Sequence, residues 1–195
     1  MDDFDLPPLN IKCTDSDCEN DLHCFLSTKK MAKEGKTGSC RNCGVDLVDW
    51  DRTHMNEVND VDYKFHIMKK EMIRHHFWHV TIDQKAINYA KRKGRIKLTE
   101  SVKSRLKSSV GSASPYRDGQ QTPFKGNPIY YAQHATATCC RRCIEEWHDI
   151  PKGRELTESE LEYMCTLVNK YLSERIPSIT EGGEKVPVIR RGGVN

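Results

Sequence analysis

Two short cysteine pairs carry the clearest chemistry in this chain: Cys40-Arg-Asn-Cys43, followed by Gly44, and Cys140-Arg-Arg-Cys143. A C-x2-C turn sets two thiolates at the bite of a tetrahedral zinc ion, so two such turns can supply a full ligand set. One zinc held by Cys40, Cys43, Cys140 and Cys143 is the expectation, and it would close most of the protein into one loop. A further group, Cys13, Cys18, His23 and Cys24, has the residue types for a second zinc site. The pairing stays open at this stage. Cys13 and Cys18 are alternative partners for Cys40 and Cys43, which would leave His134, Cys140, Cys143 and His148 as another set. Cys165 sits beside Met164 in an amphipathic stretch and reads as core.

A second constellation is the run Glu71-Met-Ile-Arg-His75-His76-Phe-Trp-His79. On a helix, Glu71 and His75 are one turn apart, as are His75 and His79, and such i, i+4 neighbours can share a metal. Glu71, His75 and His79 are therefore candidate residues for a metal-dependent nuclease or other hydrolase. His76 falls on the apolar stripe and reads as a core residue. Other catalytic signatures are missing: no P-loop, dinucleotide-binding glycine motif, G-x-S-x-G elbow or H-E-x-x-H occurs.

These residues need elements to position them. Phe65, Met68, Met72, His76 and His79 recur at helical spacing, predicting a helix over 61–80 with that stripe inward. Thr81 or Asp83 can cap a second helix that ends near Gly94, and Thr99–Leu106 suggests a third. Residues 108–129 read as a long loop that orders on a partner, and Val45–Trp50 as a short strand leaving the first cysteine turn. Helix resumes after Cys143. Thr157-Glu-Ser-Glu160 is a capping box for a helix with Leu161, Met164, Val168, Tyr171 and Leu172 on one face, ended by Pro177.

Only 36% of the 195 residues are hydrophobic and mean hydropathy is −0.73, a thin supply for a core, so metal ligation by some of the nine cysteines is the expected reinforcement. No stretch is apolar enough for a membrane span, and the acidic opening MDDFDLPPLN has no apolar run, so a reducing cytoplasm is the expected location. The expected organisation is an acidic disordered start over 1–12 and a single zinc-binding domain over 13–176, with 51–139 inserted between the cysteine pairs. A flexible tail over 177–195 follows.

The net charge of +3 conceals an asymmetry: residues 1–21 carry −6 and residues 84–107 carry +8. Lys91, Arg92, Lys93, Arg95 and Lys97 form a candidate phosphate-contacting surface, with nucleic acid as the expected partner. The alternative is a non-catalytic adaptor subunit of a larger complex, suggested by the acidic start, long loop and tail.

A knuckle first and a helix-borne pair last is the order of a treble-clef zinc finger. Over Cys40–Asp51 and Cys140–His148 the chain resembles HNH nucleases that carry a structural zinc. In that family the knuckle leads through a strand to an Asp-His pair whose His is the general base. Here Trp50 follows Asp49, and Ile144 stands where a His often follows the last Cys. The resemblance therefore implies the scaffold and its zinc ligands without the catalytic histidine. The fold it implies is α+β, mainly helical, with a zinc-stabilised treble-clef-like core and a long helical insertion. The string HATATCCRRCIEEWHDIPKGRELTESELEY also resembles an uncharacterised bacterial family, which implies no activity.

Overall fold

A computed structural model describes residues 11–187 and 189, and over these the protein is mainly helical. The helices are α1 (Lys29–Lys33), α2 (Trp50–His54), α3 (Val61–Met68), α4 (Met72–His79), α5 (Gln84–Val110), α6 (Pro128–Ala135), α7 (Arg141–His148) and α8 (Glu158–Arg175). Extended pairing among the described residues is confined to two isolated bridges, Asp17 with Leu22 and His23 with Glu71. The strand expected over Val45–Trp50 does not form. Asp49 instead caps α2, its carboxylate accepting from the Arg52 backbone N–H at 3.0 Å. The β component of the expected α+β class thus reduces to the two bridges.

The predicted helix over 61–80 is two helices, and the break changes which residues face inward. Around residue 71 the backbone pairs with the N-terminal segment: His23 N–H donates to Lys70 O at 2.7 Å and Met72 N–H donates to His23 O at 2.8 Å. Interrupting the helix resets its phase. In α4 the buried residues are Ile73, Arg74, Phe77 and Trp78, while Met72 and His76 are half-buried and His79 is exposed. The stripe expected from continuous periodicity therefore holds for Phe65 and Met68 and fails after the break.

Asp83 caps α5 by accepting from Ala86 N–H at 2.9 Å. Gly94 interrupts that helix with φ +69° and ψ 166°. The left-handed backbone favours glycine, and a Cβ there would meet Gly183 N at 2.1 Å. The break is where the chain's end docks. Arg95 N–H donates to Thr180 O at 2.8 Å, Glu184 N–H donates to Lys91 O at 2.9 Å, and Ile179 is buried. The segment expected as a flexible tail, 177–195, is thus anchored along α5 over its described part. Of the expected disordered start, residues 1–10 lie outside the described residues.

The core sits between α4, α5, α6 and α8, around Phe77, Leu106, Ile129, Met164 and Tyr171. The capping box of α8 forms as predicted, and its five expected apolar residues are all buried. The long loop is pinned by this chain's own residues: Thr122 Oγ1 donates to Cys139 O at 2.9 Å, and Gly126 N–H donates to Asp83 Oδ2 at 2.7 Å. A smaller aromatic cluster joins the first cysteine turn to α7. Trp50 packs 5.2 Å from Trp147 and 6.3 Å from Phe25, centroid to centroid, and its indole N–H donates to Gly38 O. Trp50 is therefore a packing residue.

Candidate metal centres

The two cysteine pairs do not converge on one another; each belongs to its own cluster. The first joins Cys40 and Cys43 to Cys18 and His23, with all four donor atoms within 4.8 Å of one another. Two local devices build it. Asp17 and Leu22 exchange backbone hydrogen bonds at 2.7 and 3.0 Å across the turn at Cys18–Asn20, which brings Cys18 and His23 to one side. The knuckle closes through Cys40 N–H to Val45 O and Gly44 N–H to Cys40 O, both 2.8 Å, with Gly44 at φ +77°.

The spacing fits a tetrahedral ion. Zinc–sulfur bonds of ~2.3 Å and zinc–nitrogen bonds of ~2.0–2.1 Å give edges of about 3.8 Å between sulfurs and about 3.6 Å between sulfur and nitrogen. Cys18 and Cys40 sulfurs are 3.8 Å apart, and Cys43 Sγ lies 3.5 Å from His23 Nδ1. The other ring nitrogen, Nε2, is 3.1 Å from the Asp21 carboxylate. A carboxylate on the far nitrogen is the arrangement that orients a ligating imidazole. Burial pushes the Cys40 thiol up, but backbone N–H groups of the turn and the His23 ring outweigh it, bringing it down to about 6. One ligand is thus ready as thiolate near neutral pH.

The second cluster comprises Cys139, Cys140 and Cys143, all buried, with sulfurs within 4.8 Å of one another. Cys140 caps α7 and Cys143 lies in its first turn. Arg74, 1% exposed, reaches this cluster from α4. Its Nη2 donates to Cys143 Sγ at 3.0 Å, Nη1 donates to His134 O at 2.5 Å and approaches Cys139 Sγ at 3.7 Å, and Nε donates to Glu71 at 3.0 Å. Trp147 Nε1–H donates to the same Glu71 oxygen at 2.9 Å. Hydrogen bonds from Cys13, Cys139 and Cys140, with the Arg74 cation, hold the Cys143 thiol well below its usual range despite burial. Cys13 and Cys140 are pushed up, chiefly because they donate to Cys143 and Cys139 respectively.

The remaining candidates separate. Cys24 turns away from His23, its thiol donating to Cys13 O at 3.2 Å, and burial pushes it up to about 11. Glu71 faces Arg74 and Trp147 inside, whereas His75 and His79 stack on each other at 4.1 Å, their Nδ1 atoms bonded to the carbonyls of Lys69 and His75. Glu71, His75 and His79 therefore share no donor site. His148 Nε2–H donates to Thr136 O and His134 Nε2 bonds Thr122 O, so both alternative ligands are engaged with backbone.

Among the basic residues, Lys91 lies 3.8 Å from Glu184, and Arg95 donates to Ser173 Oγ and Ile179 O. Lys93 lies over the Tyr89 ring, and Arg92 and Lys97 are exposed. Arg141 is fully buried and donates to Val110 O at the end of α5. Arg74 and Cys139 are the residues that the candidate sets read from the sequence leave out. The signal for Arg74 is a cation between Ile73 and Phe77 on what becomes an apolar face.

The molecule is thus a helical protein with two cysteine-rich clusters able to hold metal ions, and no described helix is long and apolar enough to cross a membrane. Residues 62–173 match the family described as Domain of unknown function (DUF4186), over half of the chain, and the chain belongs to that family. The match takes in Glu71, Arg74 and the second cluster, while the first cluster precedes it. No solved structure matches the chain.

His134 gives this region a pH response. Burial, then the nearby Arg74 cation, pulls its imidazole down to about 4, and its Nδ1 is buried without a partner. A lowered folded-state value means full stability above the unfolded value of about 6.5, lost as pH falls toward 4, by up to roughly 3 kcal/mol. Denaturant unfolding from pH 7 to 4 is expected to show this slope in the wild type and a flatter one in His134→Phe; parallel curves would contradict it.

Proposed function

We propose that this protein is a zinc-stapled helical module in which Cys18, His23, Cys40 and Cys43 hold one structural zinc ion. The observation that carries the reading is the match of two donor separations, 3.8 and 3.5 Å, to tetrahedral edges. A set of three sulfurs and one imidazole, closed on all four sides, suits structural rather than catalytic zinc. The ion fixes the N-terminal segment and the knuckle to a body whose apolar content is low. Structural zinc contributes on the order of 10 kcal/mol to folding at neutral pH, enough to decide whether this region is ordered. All nine cysteines are free, which suits a reducing cytoplasm where thiolates persist as metal ligands.

Metal analysis of the purified protein is expected to find zinc, with Cys40→Ser and Cys18→Ser each losing one equivalent and melting at lower temperature. Wild-type zinc content in both variants would overturn the assignment.

Nucleic-acid contact is a second reading, favoured by one groove. Tyr89, Lys93, Glu100, Ser101, Ser104 and Arg105 of α5, with Asn127, line a space of about 470 Å³. Two cations beside an aromatic ring suit a phosphate backbone with a stacked base. The exposed Arg92 and Lys97 extend the positive surface. Reversing Arg92, Lys93 and Lys97 to Glu together is expected to weaken gel-shift binding at least tenfold and to flatten its salt dependence by about two to three phosphates. Unchanged binding would remove this surface from consideration.

A further inference from the structure

The second cluster differs from the knuckle in donor number. Cys139, Cys140 and Cys143 bring three sulfurs within 4.8 Å of one another, and among the described residues no fourth Cys, His, Asp or Glu donor joins that group. The turn that presents them is held by three hydrogen bonds. Thr122 Oγ1 donates to Cys139 O, Arg141 N–H donates to Asp118 Oδ1, and Thr138 N–H donates to Gln133 O, each at 2.9 Å. The three cysteines are therefore fixed side by side before any ligand arrives.

We propose that Cys139, Cys140 and Cys143 form a three-thiolate site for a soft monovalent cation, cuprous copper, with Arg74 as the buried cation facing its sulfurs. Thiolates are among the ligands that select this ion. Donor number decides against zinc. A structural zinc ion takes four ligands, and a three-ligand zinc site keeps an open position for water. Each of these cysteines is at most 8% exposed, which shields that position from bulk water. A cuprous ion, with its filled d shell, is satisfied by three sulfurs in a plane. With bonds near the ~2.3 Å of zinc–thiolate, an ion centred among three sulfurs sets them about 4.0 Å apart. That triangle falls inside the 4.8 Å spread of the three sulfurs.

Three thiolates on a monovalent ion leave negative charge in the interior, and such charge needs cationic or N–H partners. Arg74 supplies them, with one guanidinium nitrogen 3.0 Å from Cys143 Sγ and another 3.7 Å from Cys139 Sγ. The N-terminus of α7, with Cys140 at its cap and Cys143 in its first turn, adds the positive end of a helix dipole. Burial pushes Glu71, the other partner of Arg74, toward its neutral form, which leaves more of the guanidinium charge for sulfur. The site shares no ligand with the knuckle and does not require the knuckle zinc to be present.

The test is anaerobic titration of the full chain, purified from cells grown with zinc, with cuprous ion. X-ray absorption is read at the copper and zinc edges. One copper per chain is expected, in a shell of three sulfurs and no nitrogen, with the zinc content unchanged. Cys139→Ser and Cys143→Ser are each expected to abolish stoichiometric copper binding, and Cys18→Ser to leave it intact. Arg74→Lys is expected to weaken it by about 10–100-fold, as loss of an outer-shell partner does. No copper uptake would overturn the site, and so would a copper shell containing nitrogen with zinc expelled, which would place the ion in the knuckle. A second zinc per chain in a shell of three sulfurs and one oxygen would overturn the choice of ion. The expected copper shell in a protein without zinc would uphold this site and overturn the knuckle reading instead. If the serine variants fail to fold, the wild-type shell and stoichiometry decide the matter alone.

Discussion

A single guanidinium constrains the organisation of this molecule. Arg74 is buried almost completely, and each of its nitrogens has a partner: Glu71, the His134 carbonyl, Cys139 and Cys143. Removing one partner of such a buried charge costs about 3–5 kcal/mol, so these groups are retained together or not at all. They come from the position before α4, the end of α6, and the start of α7 with the residues just before it, and Trp147 of α7 closes the set through Glu71. Three helices are thereby fixed around one charge, and the apolar core of α4, α5, α6 and α8 packs beside it.

Arg74 reaches this position only because the helix breaks before it. Had 61–80 continued as one helix, the stripe through Met72 and His76 would face inward and Arg74 would turn elsewhere. The backbone pairing of His23 with residues 70–72 stops the helix and resets its phase. His23 is also a donor in the knuckle cluster. The same residue that helps form the first cysteine cluster therefore sets the geometry by which Arg74 reaches the second. Coupling of this kind suits a protein with a thin apolar supply, since metal and hydrogen-bonded charge can supply order that burial alone does not.

Much of the local structure was legible in the sequence. The capping box at Thr157, the apolar face of α8 and the cap at Asp83 follow from short-range patterns and are found as expected, and the helix expected after Cys143 is present but begins earlier, at Arg141. The C-x2-C turns were legible as ligand pairs. Their partners were not, because sequence order does not fix which turns meet in space. Treble-clef order suggested joining the two pairs, whereas the fold gives Cys18 and His23 to one and Cys139 to the other. Cys18 as a partner of Cys40 and Cys43 was among the open alternatives. Cys139 was readable only as a neighbour of a ligand. The clustering of Glu71, His75 and His79 failed because Glu71 lies at the break, where it caps rather than continues the helix, and so faces the interior while the imidazoles face out. Long-range backbone pairing of that kind leaves no periodic signature.

The most direct test is crystallography with anomalous scattering at the zinc edge. One anomalous peak is predicted inside the set Cys18, His23, Cys40 and Cys43, with no ion shared between that set and Cys140 and Cys143. A single peak bridging Cys40 and Cys43 to Cys140 and Cys143 would contradict the account, because the two pairs would then belong to one site.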